Sequence, residues 1–369
     1  MPNGPKTRPE LALLGDYVPG KSTDEVREKY GLDSVVKLAS NENPLGPSPR
    51  AVEAAVRVLS DAHRYPQGHA PSLTAALAAK LGVAPGKLVF SNGSDEMVQM
   101  VAEAWIAPGS EVLICEPTFS EYRFAAQLAG AEVRALPLKE GRFDLDALLG
   151  AVTERTSAVF VCCPNNPTGG WNSRAELLAF LDALPERVLL VLDQAYGEFA
   201  PAAGASDYDG LLDQTDRPNL VLLRTFSKIH ALAGLRIGYA VASPELVRAL
   251  YKVKQPFNVG LVSQAAAVAA LGDDDHMERS LRLVSEGMAS LRAVFASWGW
   301  TVLPSAANFL AVKPSRGSAK ELVAELESQG LILRWMASFG MPDFFRITIG
   351  TKAENARFVE LADAWRRKQ

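Results

Sequence analysis

Short apolar runs alternate with amphipathic stretches over the middle of the chain. The runs have the length of β-strands, are rich in Val, Leu and Ile, and end in polar residues. They cover residues 87–91, 111–115, 158–162, 188–193, 220–224 and 235–241. Strands that alternate with helices in this way predict an α/β fold, with an open, mostly parallel sheet and helices on both faces.

The pattern changes after about residue 252. A long helical stretch covers residues 276–298, short strand-like runs cover 308–312 and 345–349, and a last helix begins near residue 352. Because 369 residues exceed what one core usually holds, two domains are expected. We predict an N-terminal segment, 1–35, that packs with the small domain or a partner, a large domain, 36–252, and a small α/β domain, 253–369.

Residues with chemically useful side chains follow the predicted strands. In open parallel sheets, ligands bind outside the carboxyl ends of the strands. The strand ends carry residues 92–96, Phe119, Asn165 and Asn166, Asp193, and Ser227 with Lys228. These residues therefore predict one crevice that binds a small molecule.

Lys228 ends one of these strands, and Arg236 follows eight residues later. An imine with an aldehyde needs an uncharged amine, and burial beside Arg236 would lower the pKa of Lys228 accordingly. An isolated Ser-Lys pair is more often a strand-end lysine that faces water. The interpretation therefore depends on the other strand ends.

Asp193 ends the most apolar run, where a buried carboxylate needs a cationic partner. A protonated pyridine nitrogen is such a partner, and the ring can then accept electrons from a neighbouring carbanion. Asn166, at a rigid turn, and Tyr196 are candidate donors to a phenolic oxygen of that ring, on which Phe119 would stack. Taken singly, Asp193 is also a candidate cap of the following turn, and an aromatic residue after a strand, such as Phe119, more often belongs to the core.

A phosphate cradle is predicted where the strand at 87–91 meets the next helical pattern. The backbone N–H groups of Gly93, Ser94 and Asp95 would face an anion at the helix start. The Ser227 hydroxyl and the Arg236 guanidinium would complete the phosphate site. Ser94 or Asp95 is an equally good candidate for a simple helix cap.

Composition and the absence of certain motifs in the sequence disfavour several classes of function. The net charge is −4, with 22% charged and 48% hydrophobic residues, which is typical of a folded protein without a nucleic-acid surface. The three cysteines and four histidines lack metal-ligand spacing, so no metal site is expected. No Gly-x-Gly-x-x-Gly stands between a strand and a helix, which disfavours a nucleotide-binding oxidoreductase. Without a signal-like or membrane-spanning run, a cytoplasmic location is expected.

The combined motifs resemble the fold type I pyridoxal-phosphate aminotransferases, and among these the histidinol-phosphate aminotransferases. The first likeness depends on Asn-Pro-Thr-Gly at 166–169, Asp193, Tyr196, Ser-Lys at 227–228 and Arg236. The second depends on residues 17–20, 38–49, 65–68, 231–236 and 345–351. The resemblance covers nearly the whole chain and implies an aspartate aminotransferase-like fold with a seven-stranded type of sheet.

The resemblance also implies a role for each site residue, with pyridoxal 5′-phosphate as the cofactor. The catalytic residues would be Lys228, which binds the cofactor and moves the proton, Asp193 and Tyr196. The cofactor would contact Ser94, Asp95, Phe119, Asn166, Asp193, Tyr196, Ser227, Lys228, Arg236 and, from the neighbouring subunit of a homodimer, Tyr65. Substrates would contact Tyr17, Asn43, Arg334 and Arg346, of which Arg346 would bind the glutamate carboxylate and Arg334 with Tyr17 the substrate phosphate.

The activity implied is transamination between L-histidinol phosphate and 2-oxoglutarate, in histidine biosynthesis. An aromatic amino-acid aminotransferase and a phosphothreonine decarboxylase remain alternatives on the same scaffold, whereas a non-enzymatic effector would need a DNA-binding segment that is not evident. Three residues depart from the common pattern, namely Gln67, Phe119 and Gln194. Phe119 lacks a hydroxyl for contact with cofactor or substrate, so this departure affects the choice of substrate more than the reaction type.

Overall fold

A computed structural model describes residues 4–15 and 20–369 of the chain. Its helices are α1 Thr23–Tyr30, α2 Pro49–Arg57, α3 Pro71–Leu81, α4 Gly93–Trp105, α5 Glu121–Leu128, α6 Leu145–Gly150, α7 Arg174–Ala183, α8 Pro244–Val253, α9 Leu261–Leu271, α10 Asp274–Ser297, α11 Ala319–Ser328 and α12 Lys352–Arg366. Short 3₁₀ turns lie at Pro9–Leu13, Leu59–Asp61, Pro85–Lys87, Gly197–Phe199, Leu212–Gln214, Ala233–Leu235 and Met336–Phe339.

The strands form three sheets. They are β1 Val36–Lys37, β2 Leu88–Ser91, β3 Glu111–Glu116, β4 Glu132–Pro137, β5 Thr156–Cys162, β6 Leu189–Asp193, β7 Leu220–Thr225, β8 Gly238–Ala242, β9 Thr301–Val302, β10 Phe309–Lys313, β11 Leu331–Ile332, β12 Arg334–Trp335 and β13 Phe345–Thr348. The largest sheet has seven strands in the order β2-β8-β7-β6-β5-β3-β4. A four-stranded sheet has the order β12-β13-β10-β9, and β1 pairs with β11.

The seven-stranded sheet confirms the predicted α/β fold. β3 to β7 pair in parallel, and β8 is antiparallel to both of its neighbours, β2 and β7. The central strands β6 and β8 are buried throughout, as expected for a sheet with helices on both faces. The edge strand β4 was not predicted, because most of its residues are exposed and it has no continuous apolar run.

One predicted strand begins too early. The apolar run at 235–241 becomes a strand only at Gly238, and Arg236 lies in the preceding turn with φ 48°. This left-handed conformation ends the 3₁₀ turn Ala233–Leu235 and separates Arg236 from the ladder between β7 and β8. The remaining predicted strands agree with the structure to within two residues at either end.

Two hydrophobic cores lie on either side of the site. The first fills the space around the large sheet and includes α9, which packs on α2 and α3 and so extends this core beyond the predicted boundary at 252. The second lies among α10, α11, α12 and the four-stranded sheet. Within the predicted N-terminal segment, Lys21 forms an ion pair with Glu327 of this second unit at 2.6 Å, and β1, at the start of the predicted large domain, pairs with β11.

Across residues 4–15 and 20–369, none of the helices combines the length and apolar character needed to cross a bilayer. Over the same residues, the structure contains no group of three or more His, Cys, Asp or Glu side chains arranged to hold a metal ion.

Candidate active site

A cleft of about 390 Å³ lies at the carboxyl ends of the central strands, between the two cores. Most of the predicted site residues line it, although they come from distant parts of the chain. These are Ser94, Asp95, Phe119, Asn166, Asp193, Tyr196, Ser227, Lys228, Arg236, Arg334 and Arg346. The first eight lie at or after the carboxyl ends of β2, β3, β5, β6 and β7. Arg236 precedes the antiparallel strand β8 at the same edge of the sheet, and β12 and β13 of the small sheet carry the other two arginines.

Lys228 projects into this cleft from the loop after β7. Its Nζ donates a hydrogen bond to the Ser40 carbonyl oxygen at 3.3 Å and lies 5.6 Å from the centre of the Tyr196 ring. Burial and, to a smaller extent, the charge of Arg346 lower the pKa of Lys228 to about 8, and the charge of Arg236 contributes less than that of Arg346. About one tenth of the amine is therefore uncharged at pH 7, and the uncharged form is the one that attacks an aldehyde.

Asp193, the last residue of β6, is almost completely buried. Its Oδ2 accepts a hydrogen bond from the Tyr122 hydroxyl at 2.7 Å, and its Oδ1 accepts one from the Ala195 amide at 3.0 Å. Burial raises the pKa of Asp193 to about 6, although both hydrogen bonds oppose that rise. A buried carboxylate of this kind is suited to a cationic ligand group. Sequence reasoning missed Tyr122, and the only signal for it was its position three residues after Phe119, against which its ring packs.

Arg346 lies deep in the cleft beneath Arg334. Residues Arg334 and Arg346 face each other across the antiparallel pair β12–β13. Arg346 donates hydrogen bonds to the side-chain oxygen of Asn166 and, at 2.8 Å, to the carbonyl oxygen of Ala39. Its buried Nε has no acceptor among the residues that the structure describes. Since the Asn166 oxygen already accepts from Arg346, the Asn166 NH₂ group is left to donate towards the cleft.

The predicted phosphate cradle forms at the start of α4. Gly93 has φ 75°, and a Cβ placed there would lie 2.5 Å from Nη2 of Arg236. The first N–H groups of α4 have no acceptor within the helix, so they are free to bind an anion. Arg236 Nη2 also pairs with Asp95 Oδ2 at 2.8 Å, so the Asp95 carboxylate orients this arginine. The space, the donors and the cation together fit a phosphate monoester.

Three predicted residues lie outside the cleft or outside the described residues. Asn43 donates its amide hydrogens to the Ile229 carbonyl oxygen at 3.0 Å and to the Ser280 hydroxyl at 2.9 Å, so the structure does not bring it to the substrate region. Tyr65 is 84% exposed and stacks on Phe257. Tyr17 falls outside the described residues. Asn41, not predicted, lines the cleft in place of Asn43.

The comparisons with known proteins show the family of this chain. Residues 33–361 match the family "Aminotransferase class I and II". The chain therefore belongs to the class I and II aminotransferases, and the predicted class and its cofactor, pyridoxal 5′-phosphate, are confirmed. The site fits that cofactor through Lys228, Asp193 and the phosphate cradle.

The relatives at higher identity indicate a more specific group within this family. The histidinol-phosphate aminotransferase of Moorella thermoacetica is 46% identical over 96% of this chain and 92% of its own, and that of Anaeromyxobacter sp. is 46% identical over 96% and 97%. The predicted resemblance to histidinol-phosphate aminotransferases is thus confirmed. The Sinorhizobium meliloti histidinol-phosphate aminotransferase, solved with pyridoxal-5′-phosphate, superposes with a TM-score of 0.90 at 28% identity, over 98% of both chains.

Another solved structure bears on the alternatives. The L-threonine-O-3-phosphate decarboxylase of Porphyromonas gingivalis aligns at 25% identity with a TM-score of 0.78, over 90% of this chain and 99% of its own. The scaffold therefore does not by itself separate amino transfer from decarboxylation, and the side chains of the cleft must do so.

Proposed function

We propose that this chain transfers an amino group between L-histidinol phosphate and 2-oxoglutarate, giving imidazole-acetol phosphate and L-glutamate, in histidine biosynthesis. The observation that carries the proposal is the arginine pair on β12 and β13. Arg346 is buried in the cleft, and Arg334 lies nearer its mouth. Two cations at different depths suit two alternating substrates, one with an inner carboxylate and one with an outer phosphate.

The cofactor, when bound, supplies an electron-accepting ring that stabilises negative charge on the substrate carbon beside the reacting nitrogen. Asp193 would hold the proton on the ring nitrogen, and that cationic partner favours the charged form of Asp193. Lys228, with its lowered pKa, would take the proton from the substrate carbon and return it to the cofactor. Asn166 and Tyr196 would donate to the phenolic oxygen of the ring.

The same assignment gives roles to the residues around the phosphate cradle. Ser94, Ser227 and the first N–H groups of α4 would bind the cofactor phosphate, with Arg236 as the counter-charge. Phe119, packed edge-on against Tyr122 at 5.6 Å between ring centres, would cover one face of the ring.

A homodimer with shared sites is part of the proposal. Tyr65 and Phe257 stack at 4.9 Å between ring centres, and both are exposed. Further exposed apolar side chains lie on and after α2, namely Val52, Val56 and Leu59. Apolar patches of this kind typically mark interfaces. A second copy would cover this one, and Tyr65 would reach the cofactor phosphate of that copy.

A mixing experiment tests the shared site. Tyr65→Ala and Lys228→Ala variants would each be inactive or nearly so. In a mixed dimer, one site combines the intact Lys228 of one subunit with the intact Tyr65 of the other. Co-refolding should therefore restore activity, up to about one functional site per mixed dimer. No recovery in a preparation shown to contain mixed dimers would contradict the sharing.

Single-turnover kinetics test the substrate assignment. Cofactor-loaded protein is mixed with L-histidinol phosphate, L-phenylalanine or O-phospho-L-threonine, and the cofactor absorbance is followed. Fastest conversion by histidinol phosphate supports the proposal, whereas fastest conversion by phenylalanine assigns an aromatic aminotransferase. Carbon dioxide released from phosphothreonine assigns the decarboxylase.

We also propose a cytoplasmic location, which a biosynthetic role of this kind supports.

The Arg334→Leu variant is the matched probe for the phosphate. The loss of a charge-assisted contact should lower the rate with histidinol phosphate by about 10- to 100-fold. The rate with phenylalanine, which carries no phosphate, should change little. Equal loss with both amino donors would mean that Arg334 does not bind the phosphate.

A further inference from the structure

Asn41 occupies a position between the two domains for which neither the sequence motifs nor the proposed chemistry gives a role. It is 1% exposed, and its side-chain Nδ2 donates a hydrogen bond to the Tyr196 hydroxyl oxygen at 2.9 Å. Tyr196 is itself 3% exposed. The two residues are far apart in the chain, so this contact exists only in the folded protein.

The small domain holds Asn41 in place on three sides. Its backbone N–H donates to the Thr348 hydroxyl at 2.9 Å, and that hydroxyl donates to the Asn41 side-chain oxygen at 3.2 Å. Its carbonyl oxygen accepts a hydrogen bond from Asn308 at 3.1 Å. Asn41 also has φ 55°, a left-handed conformation that asparagine tolerates better than most residues. These contacts fix both the position and the orientation of the amide.

This orientation decides which way the Tyr196 proton points. An amide NH₂ group only donates, so the Tyr196 oxygen must accept from Asn41. The single hydroxyl proton of Tyr196 is then free to donate elsewhere. Donation into the Tyr196 oxygen also polarises the hydroxyl and strengthens the bond that it donates in turn.

We propose that Asn41 is a positioning residue that makes Tyr196 a hydrogen-bond donor to the phenolic oxygen of the cofactor. Asn41 acts through Tyr196 and does not contact the reacting atoms. The proposal rests on the placement of Tyr196 given under the proposed function and is independent of which amino donor the enzyme uses. A donor at the phenolic oxygen stabilises its anionic form, so it lowers the pH at which that oxygen loses its proton.

The readout is the pH midpoint of the visible absorption change of the cofactor-loaded protein, measured without substrate. In Asn41→Asp, the carboxylate can only accept, so the Tyr196 proton turns towards it and away from the cofactor. We expect the midpoint to rise by ~0.5 to 1 pH unit, which is the size of one lost hydrogen bond. Asparagine and aspartate have similar shape and both tolerate positive φ, which favours correct folding of the variant.

A double-mutant cycle separates this role from a general loss of structure. Tyr196→Phe should raise the midpoint by itself, and Asn41→Asp should add no further shift in that background. Asn355→Ala is the control. Asn355 is also buried, and its side chain also makes two hydrogen bonds, both with the backbone of Gly350. It should leave the midpoint unchanged.

Each other outcome has a distinct meaning. No shift of the midpoint in Tyr196→Phe would contradict the contact between Tyr196 and the phenolic oxygen on which the proposal rests. A shift in Tyr196→Phe without one in Asn41→Asp would overturn the role of Asn41 alone. An equal shift from Asn41→Asp in both backgrounds, or an equal shift from Asn355→Ala, would also overturn it, because Asn41 would then not act through Tyr196.

Discussion

The hydrogen bond between Tyr122 and Asp193 gives the sharpest quantitative prediction. The Tyr122→Phe variant removes the hydroxyl that donates to Oδ2 of Asp193 at 2.7 Å and leaves the buried ring in place. Burial and the neighbouring Asp193 raise the pKa of Tyr122 well above its ordinary value, so the hydroxyl remains a donor over the whole accessible pH range.

The magnitude follows from the charge of the acceptor. A hydrogen bond to a charged group contributes ~1.5–3 kcal/mol, and one to a neutral group ~0.5–1.5 kcal/mol. The midpoints of these ranges differ by ~1.2 kcal/mol, which corresponds to about one pKa unit. In the cofactor-free protein the pKa of Asp193, raised by burial to about 6, should therefore rise further by about one unit in Tyr122→Phe.

The sign of the pH effect follows from linkage. The pKa of Asp193 is higher in the folded than in the unfolded protein, so its contribution to stability falls as pH rises from about 4 to about 6. In Tyr122→Phe, the contribution of Asp193 to stability continues to fall over about one more pH unit. The free energy lost on mutation should therefore be ~1.4 kcal/mol greater at pH 8 than at pH 5.

Urea unfolding of cofactor-free protein at the two pH values measures this difference. Tyr208→Phe is the matched control, because Tyr208 is also buried but donates to a neutral acceptor, the Cys163 carbonyl oxygen, at 2.9 Å. Its loss should be nearly the same at pH 5 and pH 8. If the loss in Tyr122→Phe were equally independent of pH, Asp193 would not titrate in this range as the structure implies.

Three further predictions concern the rest of the cleft. Arg346→Gln removes a buried cation and should raise the pKa of Lys228. The rate at which cofactor-free protein combines with pyridoxal phosphate increases with pH, and the midpoint of that increase should lie at a higher pH in the variant than in wild type. Gly93→Ala places a methyl group against Arg236 at a positive φ, and equilibrium dialysis should show weaker cofactor binding with little change in the fold by circular dichroism. Glu327→Gln removes the charge that binds Lys21. Thermal melting should show a lower melting temperature, and limited proteolysis should show faster cleavage near residue 20.

The sequence was sufficient for the site residues that follow strands. Asp193 and Lys228 each end an apolar run, and parallel strands connected by helices must place such ends at one edge of the sheet. The Gly93 cradle was also predictable, since a glycine that begins a helix after a strand is a local signal. The edge strand β4 was not, because a strand with one neighbour keeps exposed polar side chains.

Tertiary structure alone decided which side chains meet across the cleft. Asn41 and Asn43 are equivalent in the sequence, but the positive φ of Asn41 turns its amide to Tyr196, whereas Asn43 binds the backbone of Ile229. Likewise Tyr122, the partner of Asp193, comes from helix α5, 71 residues earlier in the chain. Hydrogen bonds between such distant residues leave no periodic pattern in the sequence. The chain therefore determined by itself which reactive groups stand at the strand ends, and folding decided how each of them is oriented.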